Sequence, residues 1–327
     1  MRPSTIVASI LGLLGVGAAG CLAYGVFVEV NAFTLRRVRV PVLPPDHEPV
    51  TILHISDLHL LASQTKKVAW VRGLAELHPD FVINTGDNMA EPDALLALAR
   101  ALTPLSDVPG IYVLGSNDFH GARPINPLSY LAGSSAPYLH PANRVEPTRE
   151  PNRWVESLFA VPSSPEPRVP IPTDAIEDLF DSAGWANAEG SGLRYTIRDT
   201  TIEFRGCSDA HMGHDNYPDV MGDCNADLLI GVTHSPYQKV LNHMVEDGAE
   251  LIFAGHTHGG QVCLPGGHAL TTNCDLPRGK AKGLSTHRHG DGETYLHVSG
   301  GLGTSPKAPY RFCCPPEATL LRLVPKA

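Results

Sequence analysis

Apolar and polar positions divide the chain into an uncharged head and a body in which short apolar runs alternate with helical spacing. Residues 5–28 contain no charged side chain and are built mainly from Ile, Val, Leu, Ala and Gly. A run of that length can cross ~30 Å of hydrocarbon as a helix, so residues 1–30 are expected to form an N-terminal transmembrane anchor. Two other readings stay open. One is a cleaved signal peptide, for which Ala18-Ala19-Gly20 offers a small-residue site; the other is a helix buried in the core. Ala18-Ala19-Gly20-Cys21 also resembles a lipoprotein box, although the apolar run continues past Cys21. Residues 31–49, with Pro41, Pro44 and Pro45, are expected to be a linker.

The body begins at residue 50. Residues 50–55 (VTILHI) form a short, β-branched, mostly apolar run that predicts a buried strand. Val68, Val71, Leu74 and Ala75 have helical spacing within 67–77. A strand over 80–84, a helix over 93–102 and a strand over 111–114 follow. This alternation predicts an α/β core. From about 121 to 172 prolines recur without periodicity, and an irregular Pro-rich insertion at about 121–190 is expected, with a short helix over 174–180. Strands are predicted again at 193–197, 201–205, 228–232 and 251–253, with a helix over 237–245. Short strands at 261–264, 295–298 and 320–323 close a domain spanning 50–325.

Composition narrows the function. The net charge of −9 argues against a nucleic-acid partner, because affinity for a phosphate backbone needs clustered Lys and Arg. Thirty-one glycines and 29 prolines predict many turns. The seven cysteines show no CxxC spacing, so neither a zinc knuckle nor a thioredoxin-like motif is supported. Pairing among Cys207, Cys224, Cys263 and Cys274 stays open. Arg36, Arg37 and Arg39 come after the apolar run, and the positive-inside rule would place the body of a single-pass membrane protein in the cytoplasm. A short N-terminal anchor often exports the domain attached to it, so the side stays open.

The candidate chemistry lies at strand ends. The predicted strands run into Ser56-Asp57-Leu58-His59, Gly86-Asp87-Asn88, Gly115-Ser116-Asn117-Asp118, Thr233-His234 and Gly255-His256-Thr257-His258. Ligands at the carboxyl ends of neighbouring strands converge on one rim of a sheet. Mixed carboxylate and imidazole donors suit Mn, Fe or Zn, whereas Mg or Ca favours oxygen alone. Taken singly each motif is an ordinary loop, turn or half-buried histidine; five in this order are not.

Together, Asp57-x-His59, Gly86-Asp87, Gly115-x-Asn117-Asp118, His234 and Gly255-His256-x-His258 resemble the ordered signature of the calcineurin-like metallophosphoesterases. The strings Gly255-His256-Thr257-His258-Gly259-Gly260-Gln261 and Gly300-Gly301-Leu302-Gly303-Thr304 are similar to the membrane-associated bacterial branch of that family. The resemblance implies a sandwich of two mixed β-sheets flanked by helices. It implies two divalent metal ions, one on Asp57, His59 and His258, the other on His234 and His256, with Asp87 bridging.

One element departs from the pattern. The family has Gly-Asn-His followed by Asp or Glu, where Asn binds a metal and His assists the leaving group. Here Ser116 and Asn117 occupy those places if no gap is allowed; alternatively Asn117 reaches the metal after a local shift. Either way the usual general acid is absent, an assistance worth ~10²–10⁴ in rate. Asn117, Asp118, His120 and His211 are the substitutes to consider, although the two histidines read more readily as solvent-facing loop residues. Cys263 is expected to pack, the stretch holding His287, His289 and His297 to be an exposed loop, and Arg311 to form a surface ion pair.

The expected function is metal-dependent hydrolysis of a phosphomonoester, phosphodiester or pyrophosphate near a membrane, with lipid-linked phosphates among the candidate substrates. Loss of the histidine motivates the alternative of a membrane-attached metal-binding scaffold without turnover. An amidohydrolase-like reading would need eight strand–helix units and a bridging lysine, and neither is present.

Overall fold

Fully apolar strands need cover on both faces, and the protein supplies it with two sheets stacked between helices. The computed structural model describes residues 17, 19–121, 169–218, 224–304 and 308–326. The first sheet holds β1 (Thr34–Leu43), β2 (Val50–Ile55), β3 (Phe81–Asn84), β4 (Gly110–Tyr112), β5 (Trp185–Asn187) and the last strand, β14 (Glu317–Pro325), in the order β1-β14-β2-β3-β4-β5. The second holds β6 (Gly192–Ile197), β7 (Thr200–Cys207), β8 (Leu228–Thr233), β9 (Leu251–Ala254), β12 (Gly283–His289) and β13 (Gly292–Val298), in the order β12-β13-β9-β8-β7-β6. A two-stranded ribbon, β10 (Cys263–Leu264) and β11 (His268–Ala269), lies apart. Both large sheets are mixed: β2, β3, β4 and β5 run parallel against an antiparallel β14, and β7, β8, β9 and β13 run parallel between antiparallel β6 and β12.

The period-2 alternation of strand side chains divides each apolar run between two cores. Ile52, Phe81, Ile83 and Ile111 from the first sheet meet Phe204, Ile230, Val232 and Phe253 from the second in the central layer. Phe81 stacks on Phe204 with ring centroids 4.8 Å apart. The alternate residues Leu53, Ile55 and Val82 face outward beneath α1 (Thr65–Arg72), α2 (Leu95–Leu102) and α4 (Thr173–Ser182), with the single-turn α3 (Ser116–Phe119) between them in sequence. Across the molecule α5 (Gln238–Glu246) covers the second sheet. Gly231 makes its approach possible, since a Cβ there would lie 2.7 Å from the Met244 sulfur.

Several expectations change. The stretch expected as a linker contains β1, which pairs in parallel with β14 over its whole length. Pro41 obscured it, but β1 is an edge strand, where a residue lacking an N–H is tolerated, and the register shifts there. Arg36, Arg37 and Arg39 therefore belong to a folded strand, with Arg36 paired to Glu317 at 2.9 Å. The end of the stretch expected as an irregular insertion is regular: α4 and β5 are integral to the first sheet's flank and edge, while residues 122–168 lie outside the described residues. His287 sits on β12 with its ring buried against Asn242, at 2.8 Å, and His297 is fully buried on β13. Neither is in an exposed loop; the charged turn between the two strands masked their alternation.

The segment expected as an N-terminal anchor is described only in its second half. Residues 19–27 are helical, with Leu22, Tyr24 and Phe27 exposed. Among the described residues no helix is long and apolar enough to cross a membrane, and residues 1–16 lie outside them. The foot of this segment is docked on the domain. The Gly25 carbonyl accepts the Arg311 N–H at 3.2 Å, and buried Glu29 accepts the backbone N–H groups of Cys313 and Cys314.

Candidate metal centre

The loops leaving β2, β3, β8 and β9 turn within one or two residues, and their polar side chains end up facing one another. Asp57, His59, Asp87, His256 and His258 all have positive φ, between 40° and 69°. Such a conformation is costly for residues with a Cβ and persists only where the surroundings enforce it. Two glycines let the loops close. A Cβ on Gly115 would lie 2.2 Å from Asp87 Oδ1, and one on Gly255 would lie 2.1 Å from Ser56 Oγ.

Two groups of donors result. Asp57, His59, Asp87 and His258 each present an atom within 4.8 Å of the others, and so do Asp209, His234 and His256. Asp87 joins the groups: its Oδ2 is 3.3 Å from His59 Nε2 and 3.5 Å from His234 Nε2. His59 Nε2 and His258 Nε2 are 3.1 Å apart, and His258 Nε2 is 3.5 Å from Asp57 Oδ1. The far ring nitrogens fix which atom faces inward. His234 Nδ1 donates to the Thr85 carbonyl at 2.5 Å and His258 Nδ1 to the Gly303 carbonyl at 3.1 Å. His256 Nε2 donates to the Asn273 carbonyl at 3.2 Å. Oriented imidazoles with one nitrogen tied to a carbonyl are what a metal ligand requires.

The electrostatics call for a cation. Burial pushes Asp87 up to about 7, with Asp57, Asp118 and Asp209 adding to the effect against His234. Burial holds His59 well below the usual imidazole range, and takes His256 and His258 down to about 3 and about 4, so these rings are neutral donors. At His234 burial is outweighed by Asp87, Asp209 and Asp57, which push it up to about 9. Its buried Nε2 nevertheless has no hydrogen-bond partner. Carboxylates that hold a proton on a neighbouring imidazole, beside an orphaned ring nitrogen, fit a divalent metal in that position.

The remaining predicted residues divide. The backbone N–H of Asn117 donates to Asp87 Oδ1 at 2.8 Å and its amide to Oδ2 at 2.9 Å, so its side chain is at the centre. Asp118 is buried, and its carboxylate accepts the N–H groups of Asp87, Asn88 and Gly115 at 2.7–3.0 Å. That makes it a brace between two loops. His120 comes directly after α3, in a bridge with Pro170, and belongs to neither donor group. His211 packs its ring 5.0 Å from that of His256 and bonds Tyr237 at 2.9 Å.

Three residues were misjudged or missed. Arg311 is fully buried, and its guanidinium donates to the carbonyls of Gly300, Gly301, Gly303 and Cys314 at 2.6–3.1 Å, not to a surface carboxylate. Lys67 is buried with its amine on the Leu58 carbonyl at 2.7 Å, between Asp57 and His59, and burial lowers it to about 7. Asp209 comes just after β7 in the string Ser208-Asp209-Ala210-His211; its strand-end position was the available signal. The seven cysteines are free thiols, and Cys263 packs in a small buried cluster with Cys314.

Comparison with known proteins supplies the family. Residues 50–260 match the calcineurin-like phosphoesterase family. The chain is 26% identical over 286 residues to the UDP-2,3-diacylglucosamine pyrophosphatase LpxG of Chlamydia trachomatis, covering 83% of this chain and 82% of that protein. It is 24% identical over 270 residues to a bovine transmembrane protein with a metallophosphoesterase domain, covering 79% of this chain and 49% of that one. Among solved structures it is similar to a purple acid phosphatase from yellow lupin seeds, at 11% identity and a TM-score of 0.40, covering 82% of this chain and 46% of that one. The chain is a phosphoester hydrolase and belongs to the calcineurin-like phosphoesterase family.

Proposed function

We propose that the centre holds two divalent cations (Mn, Fe or Zn), one on Asp57, His59 and His258 and one on His234 and His256, with Asp87 shared. The observation that carries this is the position of Asp87 Oδ2, 3.3 Å and 3.5 Å from imidazole nitrogens of the two groups. A pair of cations so held polarises a phosphoryl oxygen and supplies an activated water at neutral pH. The chain's own residues then hold the geometry. Asn117, beside Asp87 and only half-buried, is placed to donate its amide to a phosphoryl oxygen or to turn its carbonyl toward a cation.

No histidine occupies position 117, and His120 stands outside the donor groups. A leaving group that needs little protonation suits such a site, which favours a diester or a pyrophosphate over an alkyl monoester. A lipid-linked pyrophosphate is the substrate class we favour. A groove of about 400 Å³, lined by Val26, Val30, Lys66, Lys67, Gly303 and Thr304, runs from the foot of the N-terminal segment to the loop that orients His258. Lys66 suits a phosphate, and the apolar run of residues 5–28 is read as the membrane anchor that brings the groove to a lipid surface.

The test is turnover with Mn²⁺ on an aryl phosphodiester, an aryl monoester and a diacylated nucleotide-sugar pyrophosphate, in detergent, for wild type and Asp87→Asn. Metal-dependent cleavage of the pyrophosphate or diester, lost in the variant, is expected. Bound metal with no turnover on any of the three would point to a scaffold instead.

A further inference from the structure

The donor set around His234 and His256 is short of a protein ligand if Ser116 stands where an amide would otherwise coordinate. We propose that Asp209 fills that place, as a carboxylate ligand to the cation held by His234 and His256. The proposal rests on the two-cation reading above.

Four observations support it. Asp209 lies just past β7, as His234 lies just past β8 and His256 just past β9, so three adjacent parallel strands deliver one donor each to the same rim. Asp209 is fully buried, and one of its oxygens lies with nitrogens of His234 and His256 in a group spanning at most 4.8 Å. His234 Nε2, which its Nδ1 bond to Thr85 turns inward, has no hydrogen-bond partner. The carboxylate is also pre-oriented. Oδ1 accepts the Ser235 hydroxyl at 2.6 Å and the His211 N–H at 2.9 Å, whereas Oδ2 accepts the Ser116 N–H at 3.0 Å. Oδ2 therefore keeps a lone pair for a cation, and the bond to Ser116 ties the altered loop to its replacement ligand.

Exchanging a neutral amide for a carboxylate changes the charge of the centre. Asp57, Asp87 and Asp209 together neutralise more of two dications than Asp57 and Asp87 alone. A less positive centre discriminates less in favour of a doubly charged monoester over a singly charged diester or a pyrophosphate linkage. The substituted loop and the proposed substrate class then have one physical cause.

A merely bracing Asp209 would also matter for folding, so the experiment must read the bond itself. Full-length protein is dialysed against Mn²⁺ and bound metal counted per chain. Wild type is expected to saturate at two, with the exchange-coupled electron paramagnetic resonance of a manganese pair. Asp209→Ala is expected to keep one tight ion, to weaken the second by 100-fold or more, and to lose the coupled signal. Asp209→Cys loaded with Co²⁺ is expected to gain a thiolate-to-cobalt charge-transfer band absent from wild type, and it decides the matter if Asp209→Ala does not fold. Unchanged affinity for both ions in Asp209→Ala, or no such band in a folded, two-cobalt Asp209→Cys, overturns the assignment. These readouts are independent of turnover: a wild type that binds two ions and hydrolyses nothing defeats the proposed function and leaves this ligand intact.

Discussion

The two sheets contribute opposite chemistry to one centre. Loops from the first sheet bring mostly carboxylates, and these are held by N–H and O–H donors: Asp118 by three backbone groups, Asp57 by the Ser56 hydroxyl at 2.5 Å and the His256 N–H at 3.1 Å. Loops from the second sheet bring mostly imidazoles, and these are held by carbonyl acceptors. The bracing crosses between them. His234 of the second sheet leans on Thr85 of the first, and Asp57 of the first leans on the backbone of His256. Neither half is preformed alone, so the centre is a property of the sheet–sheet packing. The strained φ values of the ligand residues can be sustained only because both sheets fix the loop ends.

Asp87 is the sharpest way to break the comparison, because it belongs to both halves. Asp87→Asn is expected to cut metal-dependent turnover by ~10³-fold or more and to lower bound metal, measured by elemental analysis on dialysed protein. If only one half depended on it, one ion would remain at wild-type affinity. Arg311→Ala comes next. Its guanidinium satisfies carbonyls of the loop 300–303 and of Cys314, and each buried carbonyl left unpaired costs ~1–3 kcal/mol. A loss of ~3 kcal/mol or more in urea unfolding is expected. Arg311→Lys should recover only part of it, since an amine cannot reproduce the planar fork.

Legibility from sequence divided along similar lines. Short strands buried on both faces, such as Val50–Ile55 and Leu228–Thr233, declare themselves by composition, and the motifs at their ends carried the donors Asp57, His59, Asp87, His234, His256 and His258 to the centre. The elements that escaped are those whose identity depends on a partner far along the chain. β1 is half-exposed, with a proline, and exists because β14 lies beside it some 280 residues later. Arg311 reads as a surface cation until glycine carbonyls surround it. Asp118 reads as a candidate acid until its oxygens are seen to be occupied by N–H groups.

Asp118→Asn tests whether the brace on the first half matters to the second. The amide keeps one accepting oxygen but turns an NH₂ toward backbone N–H groups. Supporting groups of this kind are worth ~10–100-fold in metal affinity, and that loss is expected in Mn²⁺ titration, with the pH profile of turnover unmoved. A shifted acid limb would instead make Asp118 the general acid.

The smallest expected effect concerns the contact between the sheets. His54 on β2 and His297 on β13 meet through their Nδ1 atoms at 2.9 Å, both fully buried. Donation runs one way from there. The Ser56 hydroxyl donates to Asp57, and the Thr85 hydroxyl donates to Ser56 at 2.6 Å, so Thr85 accepts from His54 Nε2 at 2.9 Å. His54 Nδ1 is then bare and accepts from His297 Nδ1, and both rings are neutral. Burial holds His54 well below the usual imidazole range and takes His297 down to about 3. The unfolded chain therefore binds more protons than the folded one below the ordinary histidine value near ~6.5, and stability, full above that pH, falls as the solution is acidified toward the folded values. Each such histidine contributes a slope of ~1.4 kcal/mol per pH unit. His297→Gln keeps a donor for His54 but cannot titrate. In urea unfolding with metal removed, the curves of wild type and H297Q should converge as pH falls from 6 to 4, the variant's dependence being shallower by ~1.4 kcal/mol per unit. The buried histidines of the donor groups titrate in both proteins and cancel. Parallel curves would mean that His297 is charged in the folded state, and that the seam between the sheets is an ion site, not a neutral relay.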